Sequence, residues 1–235
     1  RWYAGLARDR YELNDALRTR LPSLLAGART ADDTLRAVQR WVAQDIRYVS
    51  IALGLGGYQP RPPAQVVATG YGDCKDKATL FVAVVKALGF QAYPVLLNSG
   101  GQVDRGLPSI AQFDHAIAAV ERPAGRVYVD LTADLVPYGE LPPSDQGQFA
   151  LVVHPDGGSE QVVLPETSPS ANLNETHIVG SSNTRSGSRS RRAPQLERPL
   201  EVLERLRAQL RREVDDLIRR EIVARVRRRP GWERL

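Results

Sequence analysis

A single cysteine, Cys74, no methionine and three histidines are all the sulfur and imidazole that 235 residues provide, and each shortage closes off a class of chemistry. One cysteine cannot form a disulfide within the chain. His115, His154 and His177 are widely separated in sequence and offer no zinc-ligand spacing. Neither a glycine-rich phosphate loop nor an EF-hand pattern occurs, so no metal and no cofactor is expected. No apolar run approaches the ~20 residues of a membrane-spanning helix, and none reads as a signal peptide. The chain starts at Arg1 and lacks methionine altogether, so it is expected to be a piece excised from a longer protein, with any targeting signal outside it.

Hydrophobic residues make up 42% and charged residues 25%, an ordinary globular balance in a chain long enough to bury a substantial core. The net charge of +5 is unevenly spread: residues 1–183 carry 16 Lys plus Arg against 19 Asp plus Glu, and residues 184–235 carry 16 against 8. With three lysines in the whole chain, the basic tail is an arginine tail. Arginine suits phosphates and acidic surfaces, but an arginine and alanine bias follows as easily from genome composition, and nucleic-acid binding is not the expected role. The sequence sets no oligomeric state.

What is present is concentrated around the cysteine. In Gly70-Tyr71-Gly72-Asp73-Cys74-Lys75-Asp76-Lys77, Gly72 supplies a turn, Asp73 is a good N-cap, and Asp76 three residues later is placed to complete a capping box. The apolar run Ala78 to Leu88 makes the helix, with Gly89 as its stop. Cys74 then opens the helix, where free backbone N–H groups, the dipole and the flanking lysines favour a thiolate. A free cysteine is more often a small buried hydrophobe, but neighbours Asp, Lys, Asp and Lys are not those of a core position. Downstream, His115 lies near the start of an expected strand, Gln112 to Val120. Asp130 lies in a second, Arg126 to Leu131, and Pro123-Ala124-Gly125 is the connecting hairpin. Adjacent antiparallel strands can bring the two side chains to one face, the imidazole to take the thiol proton and the carboxylate to orient it. Alone, each would read as an ordinary strand histidine or a turn-capping aspartate; the order Cys, His, Asp is the raw material of thiol acyl transfer.

Gly-Tyr-Gly-Asp-Cys-Lys-Asp-Lys-Ala, the strand-opening histidine and Val129-Asp130-Leu131-Thr132-Ala133 resemble the transglutaminase-like superfamily, a papain-like cysteine enzyme core. The nearer likeness is to a bacterial branch embedded in larger envelope proteins, matched also by Ile46 to Ile51, Gly57-Tyr58-Gln59-Pro60 and Ala92 to Leu97. It spans roughly residues 30–153. The resemblance implies Cys74 as nucleophile, His115 as general base and acid, and Asp130 as orienting residue. It also implies a location in the bacterial periplasm or cell envelope. Leu131 stands where the family commonly has proline. For the oxyanion, the Cys74 backbone N–H is one candidate donor, and the Gln59 or Tyr71 side chain is a second.

The expected architecture is α+β. A helix runs from Trp2 to Leu25, and a second, capped by Asp32 or Asp33, leads to about Asp45 and a strand from Ile46 to Ile51. The Gly57–Pro63 loop crosses to the cysteine helix, and strands follow at 91–97, 112–120, 126–131 and 149–153. The divisions expected are a helical lead-in (1–29), a catalytic core (30–154), a linker with short strands near 161–164 and 177–179 (155–190), and a basic amphipathic helix (191–235), a partial C-terminal appendage that begins a truncated second domain or docks on the core. The leading function is cleavage or exchange of an amide bond in a protein or peptide substrate. A binding module on the same fold, its triad not turned over, is the alternative from another class, and a functional basic tail carried by a scaffold is a third.

Overall fold

The structure, a computed structural model, describes residues 1–50 and 54–167. The expected strand at 177–179 and the amphipathic helix of the tail lie outside the described residues. Two compact units divide the chain, Arg1–Thr176 and His177–Leu235, and every described residue belongs to the first.

The N-terminal stretch expected as one helix forms two, α1 (Trp2–Ala7) and α2 (Asp15–Leu24). The break has a local cause: Asn14 adopts extended backbone and its side chain accepts from Leu17 N at 3.0 Å, so it starts a helix instead of continuing one. The apolar spacing survives the break, because Leu13 and Leu17 are both buried. Helix α3 (Ala31–Arg40) is capped by Thr30, two to three residues before the aspartates proposed from sequence. Thr30 accepts from Asp33 N and the Asp33 carboxylate accepts from Thr30 N, each at 3.0 Å, so Asp33 is the return half of a capping box. A wide π turn, Trp41–Asp45, extends α3 and leads into β1 (Arg47–Tyr48), much shorter than expected.

After α4 (Pro63–Thr69), β2 (Tyr71–Gly72) pairs in parallel with β1, Arg47 opposite Tyr71 and Tyr48 opposite Gly72. Helix α5 (Cys74–Ala87) comes immediately after it. It packs along β3 (Ala92–Leu97) and β4 (His115–Val120), the centre of an antiparallel sheet. β5 (Val127–Val129), β6 (Phe149–Val153) and β7 (Ser159–Val163) complete the order β5-β4-β3-β6-β7. Strand β7 lies in the stretch whose composition suggested linker. It pairs with β6 along its whole length, and Leu164 just beyond it is buried. Successive residues of one strand point to opposite faces. Here both faces are covered: Ala118 and Val120 pack with Phe81, Val84 and Val85 of α5, while Ile117 and Ala119 pack with Leu141 and Leu164 on the other side. Burial on both faces is why β4 reads as an unbroken apolar run and not as an alternating one.

Candidate active site

The capping box at the head of α5 forms as the sequence requires. Asp73 accepts from Asp76 N at 3.1 Å, and the Asp76 carboxylate accepts from Asp73 N at 3.4 Å. Cys74 is therefore the first helical residue, with no partner for its N–H inside the helix. Its side chain is half-buried. Gly72 is fixed here by space, because a Cβ on it would lie 2.8 Å from the Asp76 Cβ and 3.3 Å from Val66. Asp76 also ties the preceding loop to the helix, accepting from Arg61 N at 2.7 Å and Arg61 Nε at 2.8 Å. The two lysines expected to lend charge to the thiol are both engaged. Lys75 is paired with Asp73, and fully buried Lys77 donates to the Ala43 carbonyl of the π turn at 3.0 Å. Burial lowers the Lys77 pKa, with Asp130 and Asp134 opposing.

His115 and Asp130 meet through strand register. Ala118 is opposite Val129, so continuing the antiparallel pairing one step brings Asp130 opposite Ile117. Asp130 and His115 are then diagonal neighbours on one face, within reach of each other. His115 Nε2 lies 3.2 Å from Asp130 Oδ2. The other oxygen of Asp130, Oδ1, accepts from both the backbone N and the hydroxyl of Thr132 at 2.8 Å each. With Nε2 facing the carboxylate, Nδ1 is the nitrogen left for Cys74, which lines the same cleft together with Tyr3, Tyr58, Phe113 and Asp114.

The electrostatics stem from these contacts. Burial works against a charged His115, but hydrogen bonds to Asp130 and Cys74 and their charges outweigh it, and the pKa is raised to about 10. Burial likewise works against a charged Asp130. Its bond to His115, the charge of that ring and the two Thr132 donors win, and its pKa is lowered. At neutral pH the ring is an imidazolium between a carboxylate and the sulfur.

Neither side chain offered from sequence as an oxyanion donor lines the cleft. Gln59 Nε2 donates to the Leu6 carbonyl at 3.2 Å, and the Arg61 guanidinium stacks on the Tyr71 ring with 4.7 Å to its centroid. Asp114, next to His115 in sequence, is exposed and accepts from Ser99 N at 2.9 Å. Two residues of the site went unread in the sequence. Tyr3, from α1, has a buried hydroxyl without a hydrogen-bond partner among the described residues, and burial first, then neighbouring acidic groups, raises its pKa well above the usual phenol value. Asp145 lies in the Leu141 to Gly147 segment, a proline- and glycine-flanked stretch whose only visible signal is that of a turn. One ligand atom each from His115, Asp130 and Asp145 lie within 4.8 Å of one another. Within that group His115 Nε2 and Asp130 Oδ2 are hydrogen-bonded to each other.

The sequence profile of the transglutaminase-like superfamily matches residues 18–130. Among solved structures, a candidate protease from Parabacteroides distasonis superposes with a TM-score of 0.53 at 16% identity, over 70% of this chain and 30% of that one. A candidate cysteine protease from Cytophaga hutchinsonii gives a TM-score of 0.41 at 16% identity, over 76% of this chain and 58% of that one. A TGase gives 0.38 at 17%, over 60% and 39%. The chain thus spans under a third of the length of the first of these proteins, and the likeness to it is one of fold. No curated protein matches the sequence.

Proposed function

We propose, on the match of residues 18–130 to the transglutaminase-like superfamily, that the protein is a thiol acyl-transfer enzyme acting on amide bonds of proteins or peptides, with Cys74, His115 and Asp130 as its triad. The observation that carries the proposal is the 3.2 Å bond between His115 and Asp130 beside a cleft that also holds Cys74. A buried carboxylate that fixes a histidine next to the first residue of a helix is costly to assemble unless the imidazolium is used.

The Cys74 sulfur attacks the carbonyl carbon of the amide as its thiolate. The Cys74 N–H, unpartnered within its helix, faces the developing oxyanion. Tyr3 keeps its proton at any working pH and its hydroxyl has no other use, so it stands as a second donor in place of Gln59 and Tyr71. His115 gives its proton to the leaving amine, and a thioester remains. Water accepting the acyl group completes a peptidase or amidase cycle; an amine completes a transamidation. Hydrolysis is the favoured outcome, because Tyr58 and Asp114 on the cleft wall are exposed and leave water a path to the thioester.

The test is incubation of an unfolded protein mixture with the protein and an added primary amine, with mass spectrometry counting new chain termini and amine adducts. New termini that vanish with Cys74→Ser are expected. Products equal in the two samples, or absent from both while a thioester cannot be trapped, refute the assignment.

A further inference from the structure

Behind His115 and Asp130 lies a second carboxylate that the triad does not account for. Asp145 is 1% exposed. It sits in the turn Pro142–Asp145, its N–H donating to the Pro142 carbonyl at 3.0 Å and its carbonyl accepting from Gln148 N at 3.2 Å, so its backbone is held on both sides. Its Oδ1 accepts from the Ser144 hydroxyl at 3.1 Å, while Oδ2 is buried without a hydrogen-bond partner. One carboxylate oxygen of Asp145 lies within 4.8 Å of a ring nitrogen of His115 and of a carboxylate oxygen of Asp130.

We propose that Asp145 is a positioning residue of this site that holds a proton against Asp130, and that releasing the proton changes a singly charged carboxylate pair behind His115 into a doubly charged one. The inference rests on the reading of Cys74, His115 and Asp130 as a triad. Its own basis is geometric. An ionised Asp145 would put two anions in one solvent-excluded space and leave Oδ2 with nothing to accept, a costly arrangement. A protonated Asp145 has an O–H to give and a carboxylate beside it. Asp130 Oδ1 is filled by Thr132, so Oδ2, already facing His115, is the oxygen left to receive it. Strand alternation explains the meeting: Asp130 and His115 share the face of Ile117 and Ala119, the face that Leu141 and its segment cover.

The groups facing Asp145 are Asp130 from the end of β5, His115 from β4 and the Ser144 hydroxyl of its own turn; Lys77 of α5 acts on Asp130. Burial first, and then the Asp130 charge, raise the Asp145 pKa to about 6, with His115 opposing. The proton is therefore present in mildly acid solution and leaves to solvent as the pH rises through that value. The second negative charge then strengthens the hold on the His115 imidazolium.

Aspartate-selective 13C labelling of the full chain, with NMR titration of the carboxyl carbons and of the His115 ring nitrogens, decides the matter. One aspartate is expected to titrate near pH 6, with the His115 ring signals moving at the same pH while the ring stays protonated. In Asp145→Asn both transitions vanish, and the alkaline midpoint of His115 falls by about one unit or more. Asparagine keeps the donor but cannot ionise, so a merely structural Asp145 would leave the wild-type titration without a step. No aspartate titrating above pH 5 in the wild-type protein, or a His115 ring insensitive near pH 6, overturns the proposal even if the variant does not fold. These signals are read without substrate, so they stand or fall apart from catalysis by Cys74.

Discussion

Replacing Asp130 by asparagine changes one atom, and the structure says where its consequence falls. Thr132 donates twice to Oδ1 at 2.8 Å, so the asparagine amide keeps its carbonyl there and turns its NH2 toward the site of Oδ2. His115 Nε2, 3.2 Å from that site, then meets a donor where it had an acceptor. The neutral ring is left with its proton on Nδ1, the nitrogen that must take one from Cys74. The imidazolium is disfavoured as well. Raising His115 from 6.5 to about 10 corresponds to about 5 kcal/mol in favour of the charged ring, net of opposing burial. Asp130 gives the largest favourable contribution to it. If half disappears, the thiolate–imidazolium pair loses about 2–3 kcal/mol, roughly a hundredfold in rate, and the wrong tautomer extends the loss toward about ten-thousandfold. The assay is the rate of Cys74 alkylation as a function of pH, followed by mass spectrometry, with circular dichroism to confirm the fold. A profile for Asp130→Asn that superimposes on the wild type would show that the carboxylate does not govern the ring, and the triad would need another acid.

Thr132→Val removes one of the two donors to Asp130 Oδ1 and should cost about tenfold or less in the same assay, since the backbone donor remains. Gly72→Ala should destabilise the protein by about 1–3 kcal/mol in urea denaturation, because its Cβ would press on the Asp76 Cβ, which is part of the helix cap. His115 has a folded pKa raised above its unfolded value, so its contribution to stability is complete below about pH 6.5 and is lost as the pH rises through about 10. The difference in stability between wild type and His115→Gln should accordingly shrink across that window. A chain ending near Thr184 should fold and keep Cys74 reactivity, since every strand described and Cys74, His115 and Asp130 precede it; loss of cooperative unfolding would contradict this.

The parts of the site that were legible in the sequence are those fixed by local chemistry. Asp73 and Asp76 spell out a helix start, and the pattern of apolar residues after Cys74 leaves little choice of conformation. The strands carrying His115 and Asp130 were legible from residue type, with β6 read to its ends and β4 begun three residues early because Ile110–Gln112 forms a short 3-10 turn. What failed was decided by geometry that periodicity does not record. Leu6, Leu13, Leu17 and Leu21 keep helical spacing across a break at Asn14. Gln59 and Tyr71 have suitable chemistry, but neither side chain lines the cleft that holds Cys74 and His115, and Gln59 donates to the Leu6 carbonyl. Asp145 reaches the site only because the 141–148 segment folds under the sheet, a long-range contact with no local signature. The short strand expected at 161–164 forms at Ser159–Val163, and its mostly exposed side chains, those of an edge strand with one neighbour, are why composition set it within a linker.

The most direct measurement of the central claim is iodoacetamide labelling of the native protein from pH 4 to pH 10, read at Cys74 by mass spectrometry, in wild type and His115→Ala. A Cys74 sulfur whose proton His115 has taken is alkylated readily at neutral pH. That reactivity should be lost when the ring is removed from a folded protein. A Cys74 that reacts only at the pH of a free thiol, or that labels alike with and without His115, would contradict the account.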